Sequence, residues 1–508
     1  MKKLIALILL GAMALALVGC PEGGPGQPPV PPTPPGDGFI DNLGDRDYQD
    51  EDFVVATGDL FDYEVYANEE STDVLEEAVY KRNRRIEERF NINIVPDITL
   101  NNNECGPLLE YIQNSYNSGD SNFDIAMVYV YRAGTLVTDA MLYDLRSEWV
   151  PYVSDALKNG SEWWSPDINN AFSVQGHQYV GVSDYCITAM AMTYAMAFNK
   201  QIEEDNNIAS NLGHPDMYDI VKQKKWTIDL MRTIVKDMGE DLTDDQELKV
   251  EDDFFGFLCN QTTALDQFAP AFNINYVIND GEMSPEIFTL DSRVVSGFTA
   301  LYDLFYGPGD GTLTIGLGGT YNNEYVSAFT EGRAFMIALP LMRFSEDLMH
   351  NMDDEYGLLP YPKLTVEQKQ YYSGTVDNYS VICVPAVHAE TRLEMIGTMV
   401  EALSAETHNS VEQPYYDLIV THKNTRDEQS IEMIQIIMDG RLYDFATLNY
   451  YRLNYDNPTN SNSESLGLFM RLTITNKTSD VSSLWEAVKD QLYGRMDELI
   501  DDYVNMYG

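Results

Sequence analysis

The chain has 508 residues, 44% hydrophobic and 11% aromatic, with a formal net charge of −49 from 81 acidic and 32 basic residues. This composition describes a globular body rather than a disordered chain, and one long enough for more than a single core. So acidic a chain argues against nucleic acid as a partner, because neutralising phosphate takes patches of Lys and Arg, and against docking of the protein surface on anionic lipid.

The N-terminus opens on Lys2 and Lys3, then an apolar stretch at residues 4–18 that closes as Leu17-Val18-Gly19-Cys20. A basic start, a short apolar core and small residues before a cut describe a secretory signal. The core is shorter than the roughly 20 residues a membrane helix takes. A cysteine at the cut resembles the lipobox of bacterial lipoproteins. That resemblance implies removal of residues 1–19 and acylation of Cys20, with palmitate-type chains. The mature chain would then sit on the extracellular face of the cytoplasmic membrane, held through its lipid alone. An ordinary signal peptide containing a cysteine is the alternative. Residues 20–49 continue as a Pro/Gly-rich linker, PEGGPGQPPVPPTPPGDG at its start. Such a segment favours an extended, semi-rigid spacer. A proline-rich ligand for a partner domain is the other reading.

In the body, residues 53–57 read as a strand ending at Gly58, and residues 74–90 as a helix capped by Thr72-Asp73. A strand follows at 92–98, a helix at 108–118, and a nearly continuous apolar run at 123–131, the mark of a strand buried on both faces. Strand–helix–strand–helix–strand predicts a parallel, doubly wound α/β sheet. Ligands of such sheets bind beyond the carboxyl ends of the strands. The apolar runs at 187–198, 334–339 and 374–385 carry the strand signal onward, and a helix is predicted at 390–405 with more helices beyond.

Apart from Cys20, the cysteines are Cys105, Cys186, Cys259 and Cys383, with no CxxC pair. A zinc site is not expected, and both disulfides and buried thiols stay open. The chain has no HExxH, GxSxG or P-loop pattern. The acidic stretch 244–253 lacks the spacing of a calcium loop. No cofactor and no enzymatic activity are expected.

Several motifs then occur in order. Phe123-Asp124-Ile125 leads to Met141-Leu142-Tyr143-Asp144-Leu145. A Tyr-Gly pairing in the region of Tyr179 leads to Asn199-Lys200. Phe329, Gly332 and Pro340 form a third group, and Gly357, Pro360 and Pro362 a fourth. Together they resemble the extracellular solute-binding proteins of ABC importers, the family that includes the maltose-binding protein. Ala78-Val79-Tyr80-Lys81-Arg82-Asn83, with Ile86 to Phe90, further resembles a subgroup of large sugar-binding lipoproteins of Firmicutes. The resemblance implies a two-lobed periplasmic-binding-protein-like fold of type II. Lobe one would take 50–183 and 380–445, and lobe two 188–375 and 450–508. The hinge would lie near 183–187 and 377–379, and closure would be a hinge motion. It also implies a monomer that captures a carbohydrate, expected to be an oligosaccharide, and delivers it to ABC permease subunits. Leu341 and Arg343 stand where sugar binders often place tryptophan, which leaves a peptide or other polar nutrient open. A surface-anchored glycosidase and an adhesive or scaffold lipoprotein are the rivals from other classes.

A sugar offers hydroxyls and apolar ring faces, so its site needs aromatic platforms and planar hydrogen-bonding groups. Trp163 and Trp164, adjacent in a polar stretch, are candidate platforms, as is Trp485, whose context matches a stacking tryptophan of the maltose-binding relatives. Trp149 and Trp226 read as structural. Asp184 and Tyr185 at the first crossing, and Asp377, Asn378 and Tyr379 at the second, are candidates to line the cleft. Arg343 and Arg132 follow strand ends and rank lower.

Overall fold

The computed structural model describes residues 38–100, 105–120, 122–148, 150, 152–315, 323–422, 425–458 and 462–507. The signal segment, Cys20, most of the linker and Trp149 lie outside the described residues. Among the described residues no helix is long and apolar enough to cross a membrane.

Two sheets organise the body. Their strands are β1 (Glu51–Gly58), β2 (Ile92–Thr99), β3 (Ile125–Tyr129), β4 (Tyr194–Asn199), β5 (Phe255–Asn260), β6 (Thr312–Ile315), β7 (Ala334–Pro340), β8 (Tyr356–Leu359) and β9 (Ser380–Cys383). The first sheet has the order β9-β3-β1-β2, the second β8-β4-β7-β5-β6. In the first, β1 lies parallel to both β2 and β3, as strand–helix–strand connections require. The late strand β9 joins antiparallel, with Ser380 opposite Tyr129. In the second, β5 lies parallel to β6 and β7, while β4 runs antiparallel to β7 and β8. Mixed α/β lobes of this kind, with the chain passing between two sheets, make a two-lobed fold.

Local chemistry sets the elements. Helix α1 (Val74–Phe90) starts where the Asp73 carboxylate accepts the N–H groups of Leu75 and Glu76, at 2.9 and 3.0 Å. It ends at Asn91 in the left-handed region, φ 47°. Helix α2 (Gly106–Ser118) returns the chain to β3. The 123–131 run, read as one strand, changes period inside: β3 stops at Tyr129 and helix α3 (Val130–Thr138) begins. Val130, Ala133, Leu136 and Val137 are buried at helical spacing, which the unbroken apolar run concealed. The 187–198 run splits likewise, into a short helix Ile187–Ala191 and β4.

After β9 come helices α4 (Glu390–Ser410), α5 (Glu412–Val420) and α6 (Glu428–Asp439). The 380–445 segment divides between the sheets: α4 packs on α1, but α6 packs on β8. Helix α7 (Val481–Tyr507) closes the described chain and touches α3. Both crossings meet at one buried carboxylate. Glu64 accepts from the N–H and hydroxyl of Thr188, each at 3.0 Å, and from the Ser380 hydroxyl. Burial pushes Glu64 up to about 7, against the pull of those bonds and of Arg82. Cys105, Cys186, Cys259 and Cys383 are all buried and free.

Candidate ligand site at the second crossing

A cavity of about 280 Å³ opens where the chain returns from the second sheet to the first. Pro270 and Ile274 to Tyr276 form one side of it, and three further segments complete its walls. Gly374 to Asp377, with Tyr379, supply the crossing itself. At the carboxyl end of β5, Asn260 Oδ1 accepts the N–H groups of Thr262 and Ala264, at 3.2 and 2.9 Å. This Asx turn starts the helix Thr263–Asp266 and delivers Thr263, Asp266 and Gln267 to the cavity. The third wall is Leu442 to Tyr450 in part, with Gly467, Leu468 and Arg471 from the 3-10 helix Leu466–Arg471.

Two glycines permit these approaches. A Cβ on Gly374 would lie 2.0 Å from Gln267 Oε1. A Cβ on Gly134 of α3 would lie 2.3 Å from the Leu448 carbonyl oxygen, so the helix Phe445–Leu448 seats directly on α3. The cavity thus joins a loop beyond β5 of the second sheet to a segment resting on the helix beyond β3 of the first, where α/β sheets place ligands.

Its charged groups differ in what holds them. Arg471 Nε–H donates to Asp266 Oδ1 at 3.0 Å, and its Nη2 donates to the other oxygen. Asp444 is consumed by backbone: Oδ1 accepts from Ala446 N–H at 2.8 Å, and Oδ2 from the N–H groups of Tyr276 and Val277. Burial raises both carboxyls, Asp444 to about 6. Asp377 accepts no side-chain hydrogen bond among the described residues. Burial, and then the like charge of Asp266, push it up to about 6, with Arg471 pulling the other way.

Tyrosines supply the ring faces. Tyr379 is 1% exposed and its hydroxyl has no partner among the described residues. Its ring meets Tyr443 edge-on, with centroids 5.1 Å apart. Tyr276 is tied down, its hydroxyl accepting from Met470 N–H at 3.0 Å. Tyr450 lines the cavity and touches Tyr131 of α3, with centroids 6.1 Å apart.

Of the residues singled out on sequence, Asp377 and Tyr379 line the cavity, and the structure places the others elsewhere. Asn378 lies between them, its amide oxygen buried without a hydrogen-bond partner among the described residues. Arg132 is one side chain removed, over the rings of Tyr131 and Tyr451 at 5.1 and 4.8 Å. The structure gives the tryptophans partners within the fold. Trp163 and Trp164 each donate an indole N–H, at 2.9 Å, to the two oxygens of Glu401 in α4. One buried carboxylate therefore explains two adjacent indoles. Burial pushes Glu401 up to about 7, against those two bonds. Trp485 is 4% exposed, packed on Phe288 and Phe469 at 4.6 and 5.5 Å between centroids. Trp226 is fully buried, as its structural reading had it. Tyr185 is buried beneath the Arg82 guanidinium, 5.0 Å from its centroid. Arg343 is occupied by Asn323 and Glu346.

Asp184 joins a different cluster. His408 Nδ1 lies 2.8 Å from Asp184 Oδ2 and 3.3 Å from Glu412 Oε2. Burial works to lower the His408 pKa, but the two carboxylates outweigh it and raise it to about 10. The charge of Arg441 acts on the same pair.

Sequence reasoning did not find Asp266, Tyr443, Asp444, Tyr450 or Arg471. The only signal for them lies in long-range placement, since tyrosine occurs 33 times and acidic residues 81 times.

No family model matches the chain, and no curated protein matches it. Among solved structures it is similar to maltose-bound MalE3 of T. maritima, at 11% identity and TM-score 0.46, over 88% of this chain and 99% of that one. It is also similar to an ABC transporter solute-binding protein from Agrobacterium radiobacter K84 in complex with ribitol, at 13% identity and TM-score 0.45, covering 90% and 98%. A third is apo RafE from Streptococcus pneumoniae, at 14% identity and TM-score 0.47, again covering 90% and 98%.

Proposed function

We propose that this chain is a receptor, not an enzyme, that captures a carbohydrate at the second crossing and passes it to an ABC permease. Acylated Cys20 tethers it to the outer face of the cytoplasmic membrane, and the linker at residues 20–49 spaces the body from the lipid. One observation carries the reading: a cavity between the sheets combines tyrosine rings with the Asp266–Arg471 pair and with Asp377, which accepts no side-chain hydrogen bond among the described residues. Ring faces suit the apolar faces of a sugar, and planar groups of both signs suit its hydroxyls. The motif order along the body supports the transport role, and Leu17-Val18-Gly19-Cys20 supports the anchor.

A thermal-unfolding screen against mono- and oligosaccharides tests this. A ligand at 100 times its Kd stabilises the native state by about 2.7 kcal/mol. Sugars released as shorter products, with no stoichiometric complex, would replace the receptor with a glycosidase. Stabilisation by peptides alone would replace the ligand class. For the anchor, Cys20→Ala should release the folded body from membranes. Firm retention of that variant, with the signal removed, would overturn the lipid tether.

A further inference from the structure

The charges around the cavity do not cancel. Asp266 and Arg471 form a two-point ion pair, which uses the cavity's cation. Asp444 is bound by three backbone N–H groups. Asp377 lines the cavity with no side-chain donor among the described residues, and the Arg471 guanidinium that acts on it already serves Asp266. A carboxylate taken further from water by a ligand is costly unless that ligand brings it a charge or strong donors. A second group awaits a partner: the Tyr379 hydroxyl is buried, unbonded among the described residues, and two residues from Asp377 in the chain. Tyrosine faces surround the same space, and a cation over an aromatic ring is attracted to it.

We infer that the cavity selects a sugar bearing a free ammonium group, of the 2-amino-2-deoxyhexose class, over neutral and anionic sugars. The inference rests on the carbohydrate reading above and names the chemistry of its ligand. The ammonium would donate to Asp377, its hydroxyls would meet the Asp266–Arg471 pair and the Tyr379 hydroxyl, and a uronate would be repelled by Asp377. The acidity of the whole chain works the same way, raising the local concentration of cations.

Isothermal titration of the processed full chain against matched sets tests the inference: glucosamine with glucose and glucuronate, galactosamine with galactose and galacturonate, and oligomers of each. At near-neutral pH the amino member should bind at least about tenfold more tightly than its neutral counterpart, as a desolvated charge pair allows. Asp377→Asn should narrow that gap to within about threefold. If this variant folds poorly, wild type serves instead. The gap should shrink as pH falls through about 6, where Asp377 takes up a proton. Neutral or uronic members binding as tightly as the amino member would overturn the inference and leave the carbohydrate reading standing. A preference that survives both Asp377→Asn and acid pH would equally overturn it. Binding by no sugar of any charge would overturn both.

Discussion

At the first crossing Asp184 meets His408 and Glu412; at the second, Asp377 meets a cavity. Both are carboxylates where the chain passes between sheets. Their surroundings differ in saturation. His408 and the charge of Arg441 already attend Asp184, and Glu401 nearby is saturated by the indoles of Trp163 and Trp164. Asp377 and the Tyr379 hydroxyl have no such partners among the described residues. A polar group at a hinge is therefore no guide to ligand contact until its partners are known. Groups satisfied within the protein hold the crossing together, and groups left open are available to something else.

The comparison breaks most visibly at Trp164. Truncating a fully buried tryptophan costs about 3–5 kcal/mol, and here it also strips a donor from Glu401. Trp164→Ala should lower the unfolding free energy by that amount, while the variant that remains folded keeps its sugar affinity. Unchanged stability with weakened binding would move the ligand to the first crossing.

That outcome bears on what the sequence could tell. The strands β1 and β2 and helices α1 and α2 were legible because period, caps and turn residues are local properties. Asp73 before an amphipathic run is visible without a structure. The role of Trp163-Trp164 was not, because its explanation sits about 240 residues away in Glu401, which in sequence is one acid among 81. Scarcity made tryptophan attractive as a platform, yet the cavity uses tyrosine. Asp377 and Tyr379, which line the cavity, could be singled out in sequence because a crossing is a topological feature that motif order locates. Arg471 and Asp266, 205 residues apart, meet only in the fold.

The next effects are pH-dependent, share one sign and occupy different pH windows. His408 rises from an ordinary value near 6.5 to about 10 in the folded chain. Its contribution is fully present below pH 6.5 and is lost as pH rises toward 10. His408→Gln should flatten the fall in stability across that window and cost about 1.5–3 kcal/mol near neutrality, the scale of hydrogen bonds to charged groups. Glu64 rises from 4.5 to about 7. The folded state then binds more protons between those values, so stability falls as pH rises from 4.5 to 7. Glu64→Gln should remove that slope. Unfolding curves measured every half unit of pH separate the two. A Glu64→Gln profile that keeps the wild-type slope on the acid side would show that the slope arises elsewhere, with Glu401 as the next group to vary.

The smallest expected effect discriminates most sharply. The Tyr379 hydroxyl is buried without a partner among the described residues, and an unsatisfied buried polar group costs the folded state about 1–3 kcal/mol. Tyr379→Phe removes that group while keeping the ring against Tyr443. The unliganded protein should therefore be as stable as wild type or more so. If the hydroxyl is held for ligand, the same substitution should weaken binding by about 0.5–1.5 kcal/mol, the net worth of one hydrogen bond. Gain in the apo state with loss on binding is a combination that a purely structural tyrosine does not give. Thermal unfolding of the variant with and without a bound sugar, together with its affinity by titration, reads both halves. A variant less stable alone and unchanged in affinity would mean the hydroxyl is satisfied by water within the core, and the ligand would then have to be held by Asp377 and the Asp266–Arg471 pair without it.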